Sequence, residues 1–297
     1  MNANDIRTTI TNTIIESLEA GGLPAWRKTW AADPNGLGLA TSLSTGKQYN
    51  GINQLLLQVL AMKHGYQCKW FGTFNQIKSA GASVKKGEKA IQIVLFRPIT
   101  RDRINEVGEQ TEDKFFVMRT FNVFNVQQTT DGLDQFRIGF AQPTNTIFER
   151  FEMMDRLVEA ANVYLRHGGN KAFYSPSGHY IQMPFRHQFE SSEAYYATLA
   201  HEMIHHTEKA IEFDRSQNDA YALGELVAEL GSSFLLAELG LPASENMENC
   251  AAYLQHWLKA MKGDTKFIFK AAATASKAVE HLLSHVRVLV TEEVGTC

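Results

Sequence analysis

The chain has 297 residues, of which 44% are hydrophobic and 21% charged, and its formal net charge is -3. This composition indicates a soluble globular protein long enough for two domains. We expect neither a signal peptide nor a membrane span, because no N-terminal apolar run and no stretch of about 18 apolar residues stands out. The three distant cysteines, Cys68, Cys250 and Cys297, form no CxxC pair. They predict free thiols in a reducing cytoplasm and a metal chemistry without sulfur ligands.

The charge is unevenly distributed along the chain. Residues 1–150 hold more basic than acidic side chains, whereas residues 151–297 hold a larger acidic excess. A basic N-terminal half favours a polyanionic partner for that half.

The first 130 residues are expected to form an α+β domain with a small antiparallel sheet. Helices are predicted over 2–20 and 55–64, and a further short helix starts near residue 70. A basic turn at 84–89 leads into a strand that ends near 97, and 115–125 alternates as its partner strand. The polar segment 102–114 between the two strands lacks periodicity and is interpreted as a hairpin loop.

Aromatic and basic residues are interleaved across this first domain. Single-stranded nucleic acid binders combine cationic grooves for phosphates with aromatic faces for bases. Most of the aromatic side chains are expected to belong to the core, since a domain of this size needs them there. The candidate DNA-binding residues are Trp26, Arg27, Lys28, Trp30, Lys69, Trp70, Lys85 and Lys86.

We place a linker at 131–144 and a second, mainly helical domain at 145–297. Its first helix is predicted over 145–167, ended by two glycines, and a turn and short strand follow over 171–184. Pro184 suits an edge position of a sheet, so the segment 180–183 could hold a substrate chain by strand addition.

The second domain contains the sequence His201-Glu-Met-Ile-His205, a His-Glu-x-x-His pattern. Ser191 and Ser192 offer an N-cap to a helix that carries it. On a helix, positions i and i+4 share one face, so both imidazoles can bind one metal ion, with Zn²⁺ favoured over other divalent ions. Glu202 is placed to take a proton from water as a general base. The alternative is an ordinary charged helix face with two solvated histidines.

A zinc site of this kind needs a third protein ligand. The following helix offers Glu225 and Glu229. On a helical wheel Glu229 lies at the margin of the apolar arc and Glu225 lies further round, so we favour Glu229 and keep Glu225 as the alternative. His206 is interpreted as a residue that supports the ligands or lies on the surface, and His256, His281 and His285 as core or surface residues. His179 is a ligand candidate by residue type, but we interpret it as a strand or turn residue.

These motifs resemble the ArdC-type antirestriction proteins of conjugative plasmids. The resemblance rests on Tyr49-Asn-Gly-Ile-Asn-Gln, Trp70-Phe-Gly-Thr-Phe-Asn-Gln, Val84-Lys-Lys-Gly-Glu-Lys and Phe121-Asn-Val-Phe-Asn in the first half. In the second half it rests on 176–184, 195–205, 225–231 and 251–258, so that together the motifs cover nearly the whole chain.

The resemblance implies single-stranded DNA binding by the first domain and protection of incoming plasmid DNA from host restriction. It also implies a zincin-like metallopeptidase domain whose metal is held by His201, His205 and an acid of the 225–229 motif, with Glu202 as base. Double-stranded DNA and host restriction-enzyme subunits are further candidate partners. Two rival hypotheses are a non-enzymatic DNA-binding protector with a structural metal and a protein that binds restriction subunits directly.

Overall fold

The computed structural model describes residues 3–20, 38–104, 110–137, 147–213, 220–241 and 248–294. The helices are α1 Ala3–Glu19, α2 Gly51–His64, α3 Phe74–Ser79, α4 Ile147–Ala160, α5 Ser192–Thr207, α6 Ala220–Leu239, α7 Glu248–Gly263 and α8 Phe267–Val294. The strands are β1 Thr41–Ser42, β2 Trp70–Gly72, β3 Ile91–Ile104, β4 Gln110–Asn125, β5 Tyr164–His167, β6 Phe173–Ser175 and β7 Tyr180–Met183. The predicted α+β class is confirmed.

The N-terminal sheet has the order β1-β2-β4-β3, with β1 parallel to β2 and the other pairs antiparallel. Its main feature is the long hairpin of β3 and β4, whose ladder runs from the Ile91–Val123 pair to the Ile104–Gln110 pair. The predicted loop at 102–114 was therefore too long, because most of it is paired strand. Pairing of the backbone in a hairpin does not require an apolar face, so the polar composition hid these strand ends.

The second sheet has the order β5-β7-β6, with β5 parallel and β6 antiparallel to the central strand β7. The helix predicted over 145–167 ends at Ala160, and its last residues form β5 instead. The expectation of an edge position before Pro184 is also corrected, since β7 is paired on both sides. Strand addition to residues 180–183 would therefore require displacing a neighbouring strand. The edge strands of this sheet are β5 and β6.

One hydrophobic core joins the two predicted domains. Helices α1 and α2 contribute Ile10, Ile14 and Leu55 to the same cluster as buried residues of α6, α7 and α8. The N-terminal half also docks on α8 through Gly51, whose backbone N–H donates to Ser276 Oγ at 2.7 Å. The boundary at 131–144 stays a prediction, but the halves share their apolar packing.

Helix α6 is the centre of this core. It is long and apolar enough to cross a membrane by length and composition, contrary to the sequence expectation, but 89% of its apolar window is buried inside the protein. Helix α8 packs against it with alanines at Ala271, Ala275 and Ala278, all with no exposed surface. Small side chains on α8 let the two axes approach closely, so we read α6 as a core helix.

Candidate metal centre

Helix α5 is fixed at its N-terminus before it reaches the metal-binding motif. The hydroxyl of Ser191 accepts a hydrogen bond from the backbone N–H of Ala194 at 3.1 Å, which confirms the predicted N-cap. The guanidinium of Arg186 lies over the ring of Tyr195, 4.9 Å from its centroid, and forms an ion pair with Asp155 at 2.9 Å. These contacts hold the first turn of α5 and thereby set the direction in which its later side chains point.

A glycine brings α6 close to the middle of α5. A Cβ added at Gly231 would lie 2.9 Å from side-chain atoms of Ile204, closer than packed side chains tolerate. Ile204 is itself buried and directly precedes His205 in the chain. The absence of a side chain at position 231 therefore allows the acidic residues of α6 to reach the histidine face of α5.

The two histidines of the motif face a single carboxylate. Glu225 Oε2 lies 3.6 Å from His201 Nε2, and Glu225 Oε1 lies 3.6 Å from His205 Nε2. One ligand atom from each of these residues lies within 4.8 Å of the others. Ligands about 2.0–2.1 Å from a tetrahedral ion are about 3.4 Å apart, so this set fits a divalent ion such as Zn²⁺ with small adjustments.

The opposite ring nitrogens of the same histidines face two further acids. His205 Nδ1 lies 2.7 Å from Glu208 Oε1, and His201 Nδ1 lies 3.9 Å from Glu229 Oε2. A carboxylate beside the non-ligating nitrogen fixes the tautomer and orientation of a metal-binding imidazole. The sequence reasoning did not single out Glu208, although its position three residues after His205 on the same helix face was a signal.

This geometry differs from the helical-wheel preference for Glu229. The helical wheel correctly predicted that Glu229 is the more buried of the two acids, since its side chain is 4% exposed and that of Glu225 is 15% exposed. A catalytic ligand must border an open coordination position, however, so the more buried acid is the poorer candidate. The candidate site is therefore His201, His205 and Glu225, and Glu229 lies behind His201.

The charges of the site alter the pKa values of its members. Burial alone would lower the pKa of His201, but a hydrogen bond with Glu225 and the charges of nearby carboxylates outweigh burial and raise it. Burial raises the pKa of Glu202, partly offset by the two histidines and by the backbone N–H of Tyr174, which donates to the carboxylate. A carboxylate with a raised pKa is a better proton acceptor, as a general base requires.

His206 lies on the same row of α5 as Glu202, four residues later. Its ring stacks on that of His179 with centroids 4.4 Å apart, and it meets Tyr174 edge-on at 5.6 Å. The hydroxyl of Tyr174 is 2.9 Å from His179 Nδ1. Burial, together with His179 and the α8 histidines, lowers the pKa of His206 to about 4. His206 therefore lies inside a cluster of rings, neither on the free surface nor among the site's carboxylates.

Comparisons with known proteins identify the family to which this fold and site belong. A model of the N-terminal domain of anti-restriction factor ArdC matches residues 4–124, and a zincin-like metallopeptidase model matches residues 152–274. The metal-free crystal structure of the antirestriction protein ArdC from plasmid R388 is 36% identical, with a TM-score of 0.76, and the match covers 95% of this chain and 97% of that chain. The chain belongs to the ArdC antirestriction family.

Other relatives differ in how much of their length this chain covers. The Mn(II)-bound structure of ArdC from R388 is 34% identical with a TM-score of 0.74. An uncharacterized protein, y4eC, of Sinorhizobium fredii is 30% identical over 93% of this chain and 91% of its own length. DNA primase TraC of Escherichia coli is 33% identical over 94% of this chain, which spans 20% of that protein.

Membership of the ArdC family confirms a zincin-like metallopeptidase domain with a candidate divalent metal site. The relative's Mn(II) complex shows that an ArdC structure binds a divalent ion.

The predicted DNA-binding residues fall in different environments of the ArdC fold. Trp26, Arg27, Lys28 and Trp30 lie outside the described residues. Trp70 packs edge-on against Phe136 with centroids 5.0 Å apart, among partly buried apolar neighbours.

The three predicted lysines divide in the same way. Lys69 is partly buried, which lowers its pKa. Lys85 and Lys86 are exposed in the turn before β3. The structure thus leaves Lys69 and Trp70 partly buried and exposes Lys85 and Lys86, although Lys85 Nζ also donates to the backbone carbonyl of Gln127 at 3.1 Å.

Sequence reasoning missed an exposed face on the β3–β4 hairpin. Leu95 lies opposite Arg119 in the ladder, Arg97 lies two residues along β3, and Phe121 lies two residues along β4. All four side chains are exposed, and Leu95 and Phe121 are 40% and 42% exposed. Alternate residues of paired strands share one side of a sheet, so these four form a basic and apolar surface, which we call the hairpin face. Its signal in the sequence was the alternation of the two strands.

Proposed function

We propose that this ArdC-family chain is a zinc-dependent peptidase that also binds single-stranded DNA and protects entering plasmid DNA from restriction. The observation that supports the peptidase is the convergence of His201 Nε2 and His205 Nε2 on the two oxygens of Glu225, at 3.6 Å each. A divalent ion bound there would polarise a peptide carbonyl and an attacking water molecule.

The remaining chemistry belongs to side chains of the protein. Glu202 is 8% exposed, lies one residue after a ligand and accepts a hydrogen bond from the Tyr174 backbone. It would take a proton from the attacking water and pass it to the leaving amine. Glu208 and Glu229 would hold the two imidazoles in the tautomer that presents Nε2 to the ion.

Two substitutions test the peptidase separately from metal binding. Glu202→Gln should leave bound Zn²⁺ unchanged and lower the rate of peptide cleavage by about 10²- to 10⁴-fold, the usual cost of losing a positioned base. Cleavage of denatured restriction subunits, with and without DNA, gives the rate, and elemental analysis gives the metal content. Equal cleavage by wild type and Glu202→Gln, or none by zinc-loaded wild type, would reject the peptidase and favour the structural-metal hypothesis.

The hairpin face supports the proposal of DNA binding. Arg97 and Arg119 could contact phosphates while Phe121 stacks on a base, the combination that single-strand binders use. The exposed Lys85 and Lys86 add cationic groups at the turn that leads into β3. The reducing cytoplasm, where entering DNA meets restriction enzymes, is the compartment we propose for this activity.

DNA binding is tested on the full chain, because its two halves share one core. Phe121→Ala should weaken binding of a single-stranded oligonucleotide by about 1–3 kcal/mol, the value of one stacked base. Arg119→Ala should weaken it and lower the salt dependence by about 0.7 in log–log slope. Asn122→Ala is the matched control, since this exposed residue follows Phe121 and points to the other side of the strand. Equal losses of DNA affinity in all three variants would contradict DNA binding at the hairpin face.

Protection need not depend on peptide cleavage. We expect zinc-loaded Glu202→Gln to keep shielding a plasmid that enters a restricting host, because coating of the entering strand requires no turnover. Phe121→Ala should lose that protection in the same conjugation assay. If Glu202→Gln abolishes protection and Phe121→Ala preserves it, proteolysis of a restriction component becomes the central activity.

A further inference from the structure

A second pair of histidines lies on α8 and repeats the spacing of the first. His281 and His285 are four residues apart, so their rings lie one turn apart on one helix face. Their centroids are 4.9 Å apart with an interplanar angle of 84°, against 5.0 Å and 72° for His201 and His205. The local geometry of the two pairs is therefore nearly the same.

The nitrogen atoms of the second pair also converge. His285 Nε2 lies 3.5 Å from His281 Nε2. Good hydrogen bonds from nitrogen are shorter, about 2.7–3.2 Å, so this contact is a weak one at best. Two imidazole ligands on a tetrahedral ion stand about 3.4 Å apart, which the observed separation matches.

A third imidazole, that of His206 on α5, lies within electrostatic reach of this pair. Nε2 of His206 is buried and has no hydrogen-bond partner among the described residues. Both α8 histidines are near enough to act electrostatically on His206, and the ring of His179 stacks on the ring of His206. Burying a polar nitrogen without a partner is unfavourable, so a ligand for this atom would remove that penalty.

We propose that His281, His285 and His206 bind a second divalent ion, distinct from the one between His201, His205 and Glu225. Among the described residues, the latter three are the one group whose ligand atoms already lie within 4.8 Å of each other. The second site is thus a preformed pair of nitrogens to which His206 would add the third ligand when the ion binds, with water in the fourth position.

The ligand set determines the class of ion. Three imidazoles without a carboxylate suit Zn²⁺, Ni²⁺ or Cu²⁺ and do not suit Mg²⁺ or Ca²⁺, which prefer oxygen. Such an ion would join α8 to α5 directly beside His205. It would also remain partly accessible, since His281 and His285 are neither fully buried nor fully exposed.

The test counts ions on the untagged full chain. After removal of all metal, Zn²⁺ is titrated in competition with a chromogenic chelator, and bound zinc is measured by elemental analysis. We expect the wild type to take up two equivalents and His281→Gln or His285→Gln to take up one. His201→Ala should lose the other equivalent and keep the α8 site, and His256→Gln, an exposed histidine on α7, should keep both.

A spectroscopic measurement makes the result independent of stoichiometry. Cu²⁺ added to His201→Ala should show coupling to several imidazole nitrogens, and His285→Gln in that background should remove it. A single equivalent in wild type, or two equivalents in both α8 variants, would overturn the second site. Cu²⁺ spectra without imidazole coupling in a His201→Ala chain of native circular dichroism would also overturn it.

Discussion

The histidine pairs of α5 and α8 have the same ring geometry and different neighbours. Three acids lie within 4 Å of a ring nitrogen of His201 or His205: Glu208, directly after α5, and Glu225 and Glu229 of α6. For His281 and His285, the described ion pairs include no carboxylate, and another imidazole, that of His206, lies within electrostatic reach. A helix alone supplies the paired nitrogens through its i, i+4 spacing, whereas the packed elements around the pair decide what the pair can do.

The difference in neighbours predicts a catalytic role for the α5 pair and a structural role for the α8 pair. The α5 pair has a base, Glu202, on the next position of the helix and a carboxylate to complete the ligand set. Among the described residues no carboxylate forms an ion pair with the α8 pair, so we expect an ion there to hold helices together without turning over a substrate. The contrast between the pairs predicts which substitutions affect each of them.

The largest expected effect is at Glu225. Glu225→Ala removes a ligand and should lower Zn²⁺ affinity at the α5 pair by more than about 100-fold, the upper range for residues that merely orient ligands. Glu229→Ala should cost about 10- to 100-fold at most, because Glu229 faces the far nitrogen of His201. Competition titration in the His281→Gln background isolates this site. A greater loss of Zn²⁺ affinity in Glu229→Ala would identify Glu229 as the third ligand, as the helical wheel predicted.

A change at Gly231 should disturb the α5 pair and spare the α8 pair. In Gly231→Ala the new methyl group meets Ile204 at 2.9 Å, so α6 must move away from α5 and carry Glu225 with it. Such overpacking typically costs about 1–3 kcal/mol of unfolding free energy, more than the roughly 1 kcal/mol that alanine adds to helix propensity.

The matched control for Gly231→Ala is Gly263→Ala, at a position with no atom within 4 Å. Thermal unfolding and zinc titration of both variants measure the effect. Equal melting temperatures would show that the two helices are not held by this contact.

The motif on α5 could be predicted from the sequence because the chemistry and the helix cap lie within one segment. Ser191, His201, Glu202 and His205 are all where the pattern placed them. The identity of the third ligand could not be predicted, because it depends on how far α6 turns relative to α5. That rotation is set by Gly231 meeting Ile204, a contact that no local pattern contains.

The sheets show the same limit. The strands of the β3–β4 hairpin were predicted, but their ends were missed because polar residues continue the ladder. Residues 164–167 were predicted as the end of a helix, but they pair with β7 as a strand, so tertiary pairing overrode the local pattern. Burial of Trp70 against Phe136 likewise depends on residues 66 positions apart in the chain.

A smaller effect is expected from Glu208. Glu208→Gln keeps the shape of the side chain and removes the charge that faces His205 Nδ1 at 2.7 Å. The imidazole should become a weaker ligand, with zinc affinity at the α5 pair lowered by about 10-fold, the low end for such partners. The α8 pair should be unaffected. Parallel titrations of Glu208→Gln in the His281→Gln and His201→Ala backgrounds test both statements, and an equal loss at the two sites would contradict them.

The smallest effect concerns how each site responds to pH. Protons compete with metal for a histidine below its pKa. Burial lowers the pKa of His201, but Glu225 and the neighbouring carboxylates raise it above its ordinary 6.5, so protons still compete there above pH 6.5. Burial and then His285 lower the pKa of His281 below 6.5, so protons have largely left it by that pH.

Zinc affinity at the α5 pair should therefore keep rising with pH between about 6.5 and 7.5, while affinity at the α8 pair should rise less. The comparison concerns slopes, because the carboxylates of the α5 pair also strengthen its absolute affinity. Titrations of His281→Gln and His201→Ala at several pH values measure the two slopes separately. A steeper slope at the α8 pair would mean that the acids around His201 do not hold a proton there in the metal-free chain.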